Sequence, residues 1–248
     1  MIMIKIIYKF VLTILVIIGL LATYLSTIGI KTNRLNNQIS NEIKSFNNDL
    51  NIQLKEVTIL LDPFNLRFLV KTIGTNLVYK NQTIQLESIK SVISIKSLLS
   101  NQFSLNQLDI STKSIQINNL ITFLRVLTND PKFYILQKLV KKGFIIAEIK
   151  IEFDETGNIK NNFIIEGSLK EGKIDFLKNY NLSKIDTNFT LDNNKIQFDE
   201  LSLLVNGKSL SFPSSKIQKI DNKFLVSGNL NNDDLTLNNE EMKVLFGA

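Results

Sequence analysis

The sequence lacks cysteine, histidine and tryptophan altogether. The absence of histidine excludes a Ser-His-Asp triad, a Cys-His pair and any zinc or haem site with histidine ligands. The absence of cysteine excludes disulfides, thiolate nucleophiles and iron–sulfur ligation. Glycine and proline are scarce, with 10 and 3 residues among 248, so asparagine must supply many of the turns. With 44% hydrophobic and 21% charged residues, the composition is still that of a folded globular protein.

The reactive side chains that remain form no catalytic motif. Residues 167–174, GSLKEGKI, resemble a phosphate-binding loop but end in Ile174, where magnesium binding would need Ser or Thr. We interpret this segment as a hairpin turn between two strands. Adjacent carboxylates such as Asp199 and Glu200 would point to opposite faces of a strand, which disfavours a paired acid–base role. We therefore predict a protein that is not an enzyme and has no catalytic residues, no cofactor and no metal site.

An uncharged apolar run at residues 10–30 decides the class of protein. Its 21 residues would form a helix about 31 Å long, which matches a hydrocarbon core of about 30 Å. A cleaved signal peptide is the competing interpretation, but its apolar region is usually only about 7–15 residues long. We predict an uncleaved transmembrane anchor at 10–30, preceded by a short cytoplasmic tail at 1–9.

The positive charges are concentrated beside this run. Lys5, Lys9, Lys31 and Arg34 bracket it, and they contribute four of the six net positive charges. The net positive charge of the chain therefore comes mainly from residues that flank a membrane-spanning segment. No later segment combines clustered cations with the aromatic residues that bind nucleic acid. We predict a membrane partner and no nucleic acid.

The segment that follows has helical periodicity. Leu35, Ile39, Ile43, Phe46 and Leu50 form one apolar stripe, which predicts an amphipathic helix within residues 31–50. Two interpretations remain open: the helix packs against a following sheet, or it lies at the membrane surface or over the mouth of a cavity.

From residue 51 to 248 alternation of apolar and polar residues dominates and predicts about a dozen strands. Helical spacing returns only at 119–142, with a restart at Asp130-Pro131, and in a second short helix at Asp175–Tyr180. Residues 83–95, 103–117 and 195–212 share an alternation that slips by one residue, which predicts a β-bulge or a bend in each. The expected fold class is therefore mainly β (α+β), with an N-terminal transmembrane helix, an antiparallel sheet and a few short helices.

Too few helices are predicted to cover the apolar faces of these strands. A sheet cannot leave a large apolar face in water, so it either folds onto itself as a sandwich or forms a trough lined by another apolar material. Acyl chains could fill that role for a protein tethered to a bilayer. The residues alone leave both arrangements open.

The order of these segments resembles the AsmA-like family, the AsmA/TamB/YhdP type, which is similar to the chorein-like bridge lipid-transfer proteins. The resemblance is carried by the N-terminal anchor, by Leu60-Leu61-Asp62-Pro63 and above all by residues 86–117, LESIKSVISIKSLLSNQFSLNQLDISTKSIQI. It also includes residues 151–177, IEFDETGNIKNNFIIEGSLKEGKIDFL, and extends over roughly residues 1–230. Family members are usually several times longer than this chain.

The resemblance implies a single-pass protein of the bacterial inner membrane with most of its chain in the periplasm. It implies a curved, elongated β-groove that takes part in phospholipid transport and outer-membrane biogenesis, with phospholipid acyl chains and other envelope proteins as partners. The alternative expectation is a membrane-tethered β-sandwich scaffold, or a TamB-like assembly factor, without lipid cargo. Our candidate groove-lining residues are the alternating apolar ones: Ile93, Ile95, Phe103, Leu105, Ile149, Ile151, Phe153, Phe163, Ile165, Phe189 and Leu191.

Overall fold

The computed structural model shows a chain built mainly of antiparallel strands. It describes residues 2–34, 36–46, 48–95, 105–128, 130–154, 160, 163–176, 180–220, 223–231 and 239. These residues contain fourteen strands and four helices, which confirms the predicted mainly β fold class with an apolar N-terminal helix. The chain divides into two compact units, the first comprising residues 1–112 and 149–163 and the second residues 113–148 and 164–248.

The helices and strands have the following bounds. The helices are α1 (Ile2–Thr27), α2 (Asn36–Phe46), α3 (Ile117–Thr128) and α4 (Pro131–Leu139). The strands that begin before residue 113 are β1 (Ile30–Thr32), β2 (Leu50–Gln53), β3 (Glu56–Asp62), β4 (Arg67–Ile73), β5 (Asn76–Tyr79), β6 (Gln82–Ser94) and β7 (Leu105–Thr112). Those that begin later are β8 (Ile115–Gln116), β9 (Val140–Glu152), β10 (Ile164–Phe176), β11 (Tyr180–Leu191), β12 (Lys195–Val205), β13 (Lys208–Ile220) and β14 (Lys223–Gly228).

Helix α1 is long and apolar enough to span a membrane. Its stretch Ile6–Thr27 has 22 residues and a mean hydropathy of 2.4, and none of that stretch is buried inside the protein. The helix ends before the predicted limit at residue 30 because Ile30 already belongs to β1. Gly29 makes this exit possible: it has a positive φ of 73°, and a Cβ there would lie only 2.5 Å from the carbonyl oxygen of Ile59.

In the first unit the strands β1, β3, β4, β6 and β7 are neighbours in that order, and β2 and β5 form a second small sheet with the start of β6. Helix α2 packs against β2, where the Ser40 hydroxyl donates to Asn51 Oδ1 at 3.1 Å. This arrangement agrees with the first of the two interpretations of the amphipathic segment. At the β3–β4 turn, hydrogen bonds from the Asn65 side chain and backbone N–H hold the pKa of Asp62 below its usual value.

Two buried threonines pair inside the first unit. The hydroxyls of Thr72 and Thr75 lie 2.8 Å apart, and both side chains are almost wholly inaccessible to solvent. Since each hydroxyl satisfies the other, the pair places no unsatisfied hydroxyl in this core.

Removing one hydroxyl of this pair should therefore cost more than removing both. We expect Thr75→Val to lower the free energy of unfolding by about 1–3 kcal/mol, because the Thr72 hydroxyl then stays buried without a partner. Adding Thr72→Val should restore much of the loss. Urea unfolding of both single variants and of the double variant measures this. If the two single losses of unfolding free energy simply add in the double variant, the expectation is contradicted.

In the second unit β8 pairs with β9, β9 to β14 follow one another as neighbours, and the pairs from β10 to β14 are antiparallel. Strand β9 belongs to this unit up to residue 148. Helices α3 and α4 pack on each other through Gln137, which accepts a hydrogen bond from Arg125 and donates one to the Thr122 hydroxyl at 2.9 Å. Helix α4 begins as predicted, with the Asp130 carboxylate accepting from the backbone N–H of Lys132 and Pro131 in the first turn.

Two local predictions are wrong. Asp175 and Tyr180 do not belong to a helix, because Asp175 lies in β10 and Tyr180 begins β11. Residues 167–174 are not a hairpin turn but the middle of the thirteen-residue strand β10. Glu171 has a left-handed φ of 52°, and the register with β11 shifts on both sides of Gly172, so a bulge replaces the expected turn.

The predicted bulges are confirmed. Between β6 and β7 the register shifts by one residue at Glu87 and again at Asn106. In β12 Glu200 has a left-handed φ of 54°, and the register with β11 shifts beside it. Each of these positions lies where the sequence alternation slips by one residue.

Candidate functional site

One face of the sheet in the second unit carries a continuous apolar row. Ile165 pairs with Leu191, Leu191 with Ile196, Ile196 with Ile217, and Ile217 with Val226. Residues paired across antiparallel strands place their side chains on the same face, so the row runs across five strands. Phe189 and Phe198 pair with each other and lie two residues from the row, on the same face. We name this surface the β10–β14 apolar face; it comprises Ile165, Phe189, Leu191, Ile196, Phe198, Ile217 and Val226.

The opposite face at the same level is polar. Glu166 pairs with Thr190, Thr190 with Gln197, Gln197 with Lys216, and Lys216 with Ser227. The two sides of these five strands therefore differ sharply, because each apolar residue of the row is next in sequence to a polar one. Such a sheet is expected to have one wetted side and one side covered by apolar material.

The apolar face is only partly covered by the protein. Six of its seven side chains are half-buried, and Val226 on the edge strand is 69% exposed. By contrast, Ile185, Val205 and Leu210, nearer the other end of the same strands, are buried. Among the elements described in this unit, α3 and α4 pack on each other, on β8 and on β10.

Phe189 lies over a glycine in this face. A Cβ on Gly167 would come 2.7 Å from the Phe189 ring and 2.4 Å from the carbonyl oxygen of Ile146. The missing side chain therefore lets the ring lie close to β10 and lets β9 and β10 approach each other.

Filling this space should destabilise the second unit. We expect Gly167→Ala to lower the free energy of unfolding by about 1–3 kcal/mol, because the Ile146 carbonyl is backbone and cannot move aside cheaply. Ser168→Ala on the same strand is the matched control, with an expected change within about 0.5 kcal/mol. Denaturant unfolding followed by circular dichroism measures both, and equal stability of Gly167→Ala and the native chain would refute the packing described for Phe189.

The predicted groove residues fall into both units. In the second unit Ile165, Phe189 and Leu191 lie together in the β10–β14 apolar face. In the first unit Ile93 pairs with Leu105, and their row continues through Phe68 to Leu61 on β4 and β3.

The other predicted residues of the first unit lie in or next to β6, β9 and β10. Ile95 follows β6, Ile149 and Ile151 lie on β9, Phe153 follows β9, and Phe163 precedes β10; all five are half-buried. The backbone N–H of Phe153 donates to the carbonyl of Asn106, the bulged residue next to Leu105. Phe103 lies outside the described residues.

The sequence interpretation missed four members of the apolar face: Ile196, Phe198, Ile217 and Val226. The signal for Ile196 and Phe198 is present in the sequence, since both belong to the alternating segment 195–212. Their pairing with Phe189 and Leu191 follows from the tight connection at Asn193 and Asn194, where the Asp192 carboxylate accepts from the backbone N–H groups of Asn194 and Lys195.

No chemical centre emerges elsewhere in the described chain. Its described residues contain no group of three or more His, Cys, Asp or Glu side chains that could hold a metal ion. The Asp199 carboxylate accepts hydrogen bonds from the Gln197 amide and the Ser214 hydroxyl, which are structural partners on neighbouring positions of the sheet.

Comparison with known proteins gives no relative: no protein family, no curated protein and no solved structure matches this chain. The class of this protein is therefore described from its fold and its apolar face alone. It is a β-rich protein with an N-terminal helix able to span a membrane and a sheet that is apolar on one face and polar on the other.

Proposed function

We propose that this chain is a single-pass protein of the bacterial inner membrane, with its strands in the periplasm, that holds phospholipid acyl chains on the β10–β14 apolar face. In this proposal it is a short protein of the AsmA-like type that takes part in phospholipid transport and outer-membrane biogenesis. The observation that carries the proposal is the apolar row from Ile165 to Val226, which is backed by a polar row and only partly covered.

The dimensions of the face suit an acyl chain. Five strands spaced about 4.8 Å apart give a width of about 19 Å. Half of a hydrocarbon core about 30 Å thick is about 15 Å, which is the depth one acyl chain occupies in its leaflet. An acyl chain lying across the face would remove its apolar side chains from water, which contributes about 25 cal/mol per Å² of apolar surface covered.

The anchor supports the same proposal. A chain whose α1 crosses a bilayer is permanently next to a source of phospholipid. An apolar face that the protein leaves partly uncovered is a common feature of binding sites for apolar ligands. For a protein held at a membrane, acyl chains are the most abundant apolar ligand.

Site-specific photo-crosslinking in living cells tests the proposal. A benzophenone amino acid at Ile196 points into the apolar face, whereas the same probe at the neighbouring Gln197 points to the polar side. After growth with radiolabelled phosphate, we expect labelled phospholipid on the chain with the probe at Ile196 and little or none with the probe at Gln197. The same comparison can be made with Ile217 and Lys216 on β13.

Two outcomes would overturn the proposal. Equal labelling at Ile196 and Gln197 would mean that lipid contacts both faces of the sheet to the same extent. Absence of lipid at Ile196, together with crosslinks to another protein, would favour a membrane-tethered scaffold without lipid cargo.

A further inference from the structure

A second candidate binding site lies where the chain leaves α1. An open cleft of about 530 Å³ is lined by residues 30–34 together with Lys55 and Glu56. We name it the juxtamembrane cleft. It belongs wholly to the first unit and is separate from the β10–β14 apolar face.

The lining of the cleft is cationic. Lys31, Arg34 and Lys55 supply three positive charges, and Glu56 supplies the only negative charge of the lining residues. Glu56 is engaged with Lys31, whose Nζ lies 3.2 Å from Glu56 Oε1. In the part of the chain that the structure describes, Arg34 and Lys55 have no carboxylate partner, so two cations of the cleft are left for an anion.

The backbone around the cleft is held in place. Strand β1 pairs with β3 through Lys31 opposite Thr58 and Thr32 opposite Val57, and Val57 is completely buried. The Asn36 side-chain amide donates to the carbonyls of Leu54 and Lys55, which fixes Lys55 against the start of α2. The backbone N–H of Arg34 donates to the Thr32 hydroxyl at 3.1 Å. A site built on a fixed backbone loses less entropy when it binds a ligand.

The position of the cleft along the chain indicates which anions lie within its reach. The cleft begins at Ile30, three residues after the last residue of α1, and three extended residues span at most about 11 Å. The polar headgroup layer is about 5–7 Å thick on each side of the hydrocarbon core. Long Lys and Arg side chains at such a position reach back into that layer.

We propose that the juxtamembrane cleft binds the phosphate group of an anionic phospholipid in the leaflet where α1 ends. Arg34 offers a planar guanidinium that can donate two parallel hydrogen bonds to phosphate oxygens, and Lys55 offers a mobile ammonium group. Glu56 limits the affinity by occupying Lys31 and by repelling the phosphate. This proposal depends on α1 as a membrane anchor and is independent of acyl-chain binding on the β10–β14 apolar face.

Native mass spectrometry of the full chain in detergent micelles tests it by titration with phosphatidylglycerol and, separately, with phosphatidylcholine. We expect the native chain to bind phosphatidylglycerol more tightly than phosphatidylcholine. Arg34→Gln with Lys55→Gln should weaken phosphatidylglycerol binding about tenfold or more, since charge-assisted hydrogen bonds are lost, and should weaken phosphatidylcholine binding less, because the choline cation already repels these two side chains. Lys90→Gln with Lys216→Gln removes two exposed cations elsewhere and is the matched control, with no expected change.

Glu56→Gln should act in the opposite direction. It frees Lys31 and removes the one negative charge, so we expect phosphatidylglycerol to bind several-fold more tightly. A merely destabilised fold would not produce this gain, and circular dichroism verifies that all variants are folded.

Three results would overturn the proposal. The first is equal phosphatidylglycerol affinity of the native chain and the Arg34→Gln/Lys55→Gln variant. The second is an equal loss in the Lys90→Gln/Lys216→Gln control, which would mean that net charge alone sets the affinity. The third is displacement of the lipid by millimolar inorganic phosphate that binds the cleft by itself, which would assign the site to free phosphate and not to a lipid headgroup.

Discussion

Val16→Arg combined with Ile17→Arg is expected to release the chain from membranes. Both residues lie at the centre of the apolar stretch Ile6–Thr27 of α1. Placing an arginine at the centre of a transmembrane helix costs about 2.5–3.5 kcal/mol in insertion free energy. Two arginines therefore cost about 5–7 kcal/mol, which corresponds to a loss of roughly four to five orders of magnitude in the insertion equilibrium.

The amount of protein that resists alkaline extraction of the membrane fraction measures this effect. Val16→Ala with Ile17→Ala keeps the stretch uncharged and should leave the chain embedded. Phe64→Arg controls for an added positive charge, because that side chain is 97% exposed and lies at the β3–β4 turn. If the double arginine variant stays embedded as firmly as the alanine variant, α1 is not what holds the chain in the membrane.

Leu210→Ala is expected to destabilise the second unit strongly. Leu210 is only 2% exposed and pairs with Leu203 across β12 and β13. Truncating a fully buried leucine leaves a cavity and costs about 2–5 kcal/mol of unfolding free energy. Ile217 lies on the same strand but is half-buried, so Ile217→Ala should cost clearly less.

This pair of variants separates the closed core of the second unit from its open face. Urea unfolding of the full chain in detergent micelles gives both values. Equal losses for Leu210→Ala and Ile217→Ala would mean that the β10–β14 apolar face is packed as tightly as the core, and would contradict its description as only partly covered.

The anchor and the strands could be read from sequence because each has a local periodicity. Residues 10–30 contain no charge, which predicts the apolar helix that the structure shows as far as Thr27. Alternation likewise located most strands of both units. The slip in alternation at Glu200 located a bulge, because a bulge changes which residues share a face.

The misassigned segment at 167–174 shows where local patterns fail. Its Gly-rich, charged sequence fits a hairpin turn as well as a bulged strand. Distant partners decide the outcome: the backbone N–H of Glu171 donates to the Asp186 carboxylate at 2.7 Å, and its own carboxylate pairs with Lys142 at 2.6 Å. Neither contact is visible in a window of neighbouring residues.

The candidate site was found only in part for the same reason. Alternation predicts Ile165, Phe189 and Leu191 as lining residues, and the structure places them on one face. Alternation divides the residues of each strand between two faces, but it does not show which strands are neighbours. Ile196, Ile217 and Val226 join the face only through the register of β11 to β14.

Acyl-chain binding on the β10–β14 apolar face is the property from which the proposed function follows. The most direct measurement is the amount of phospholipid, determined by mass spectrometry, that the purified full chain retains after exhaustive detergent washing. The native chain is compared with Ile196→Asp/Ile217→Asp, and with Thr190→Asp/Gln197→Asp as a control on the polar side. Since α1 is the same in all three, lipid bound around the anchor cancels in the comparison.

We expect the native chain and the polar-side control to retain about one phospholipid more per chain than the apolar-face variant, with all three folded by circular dichroism. Equal retention by all three folded proteins would contradict the claim and would assign the apolar face to packing or to a protein partner.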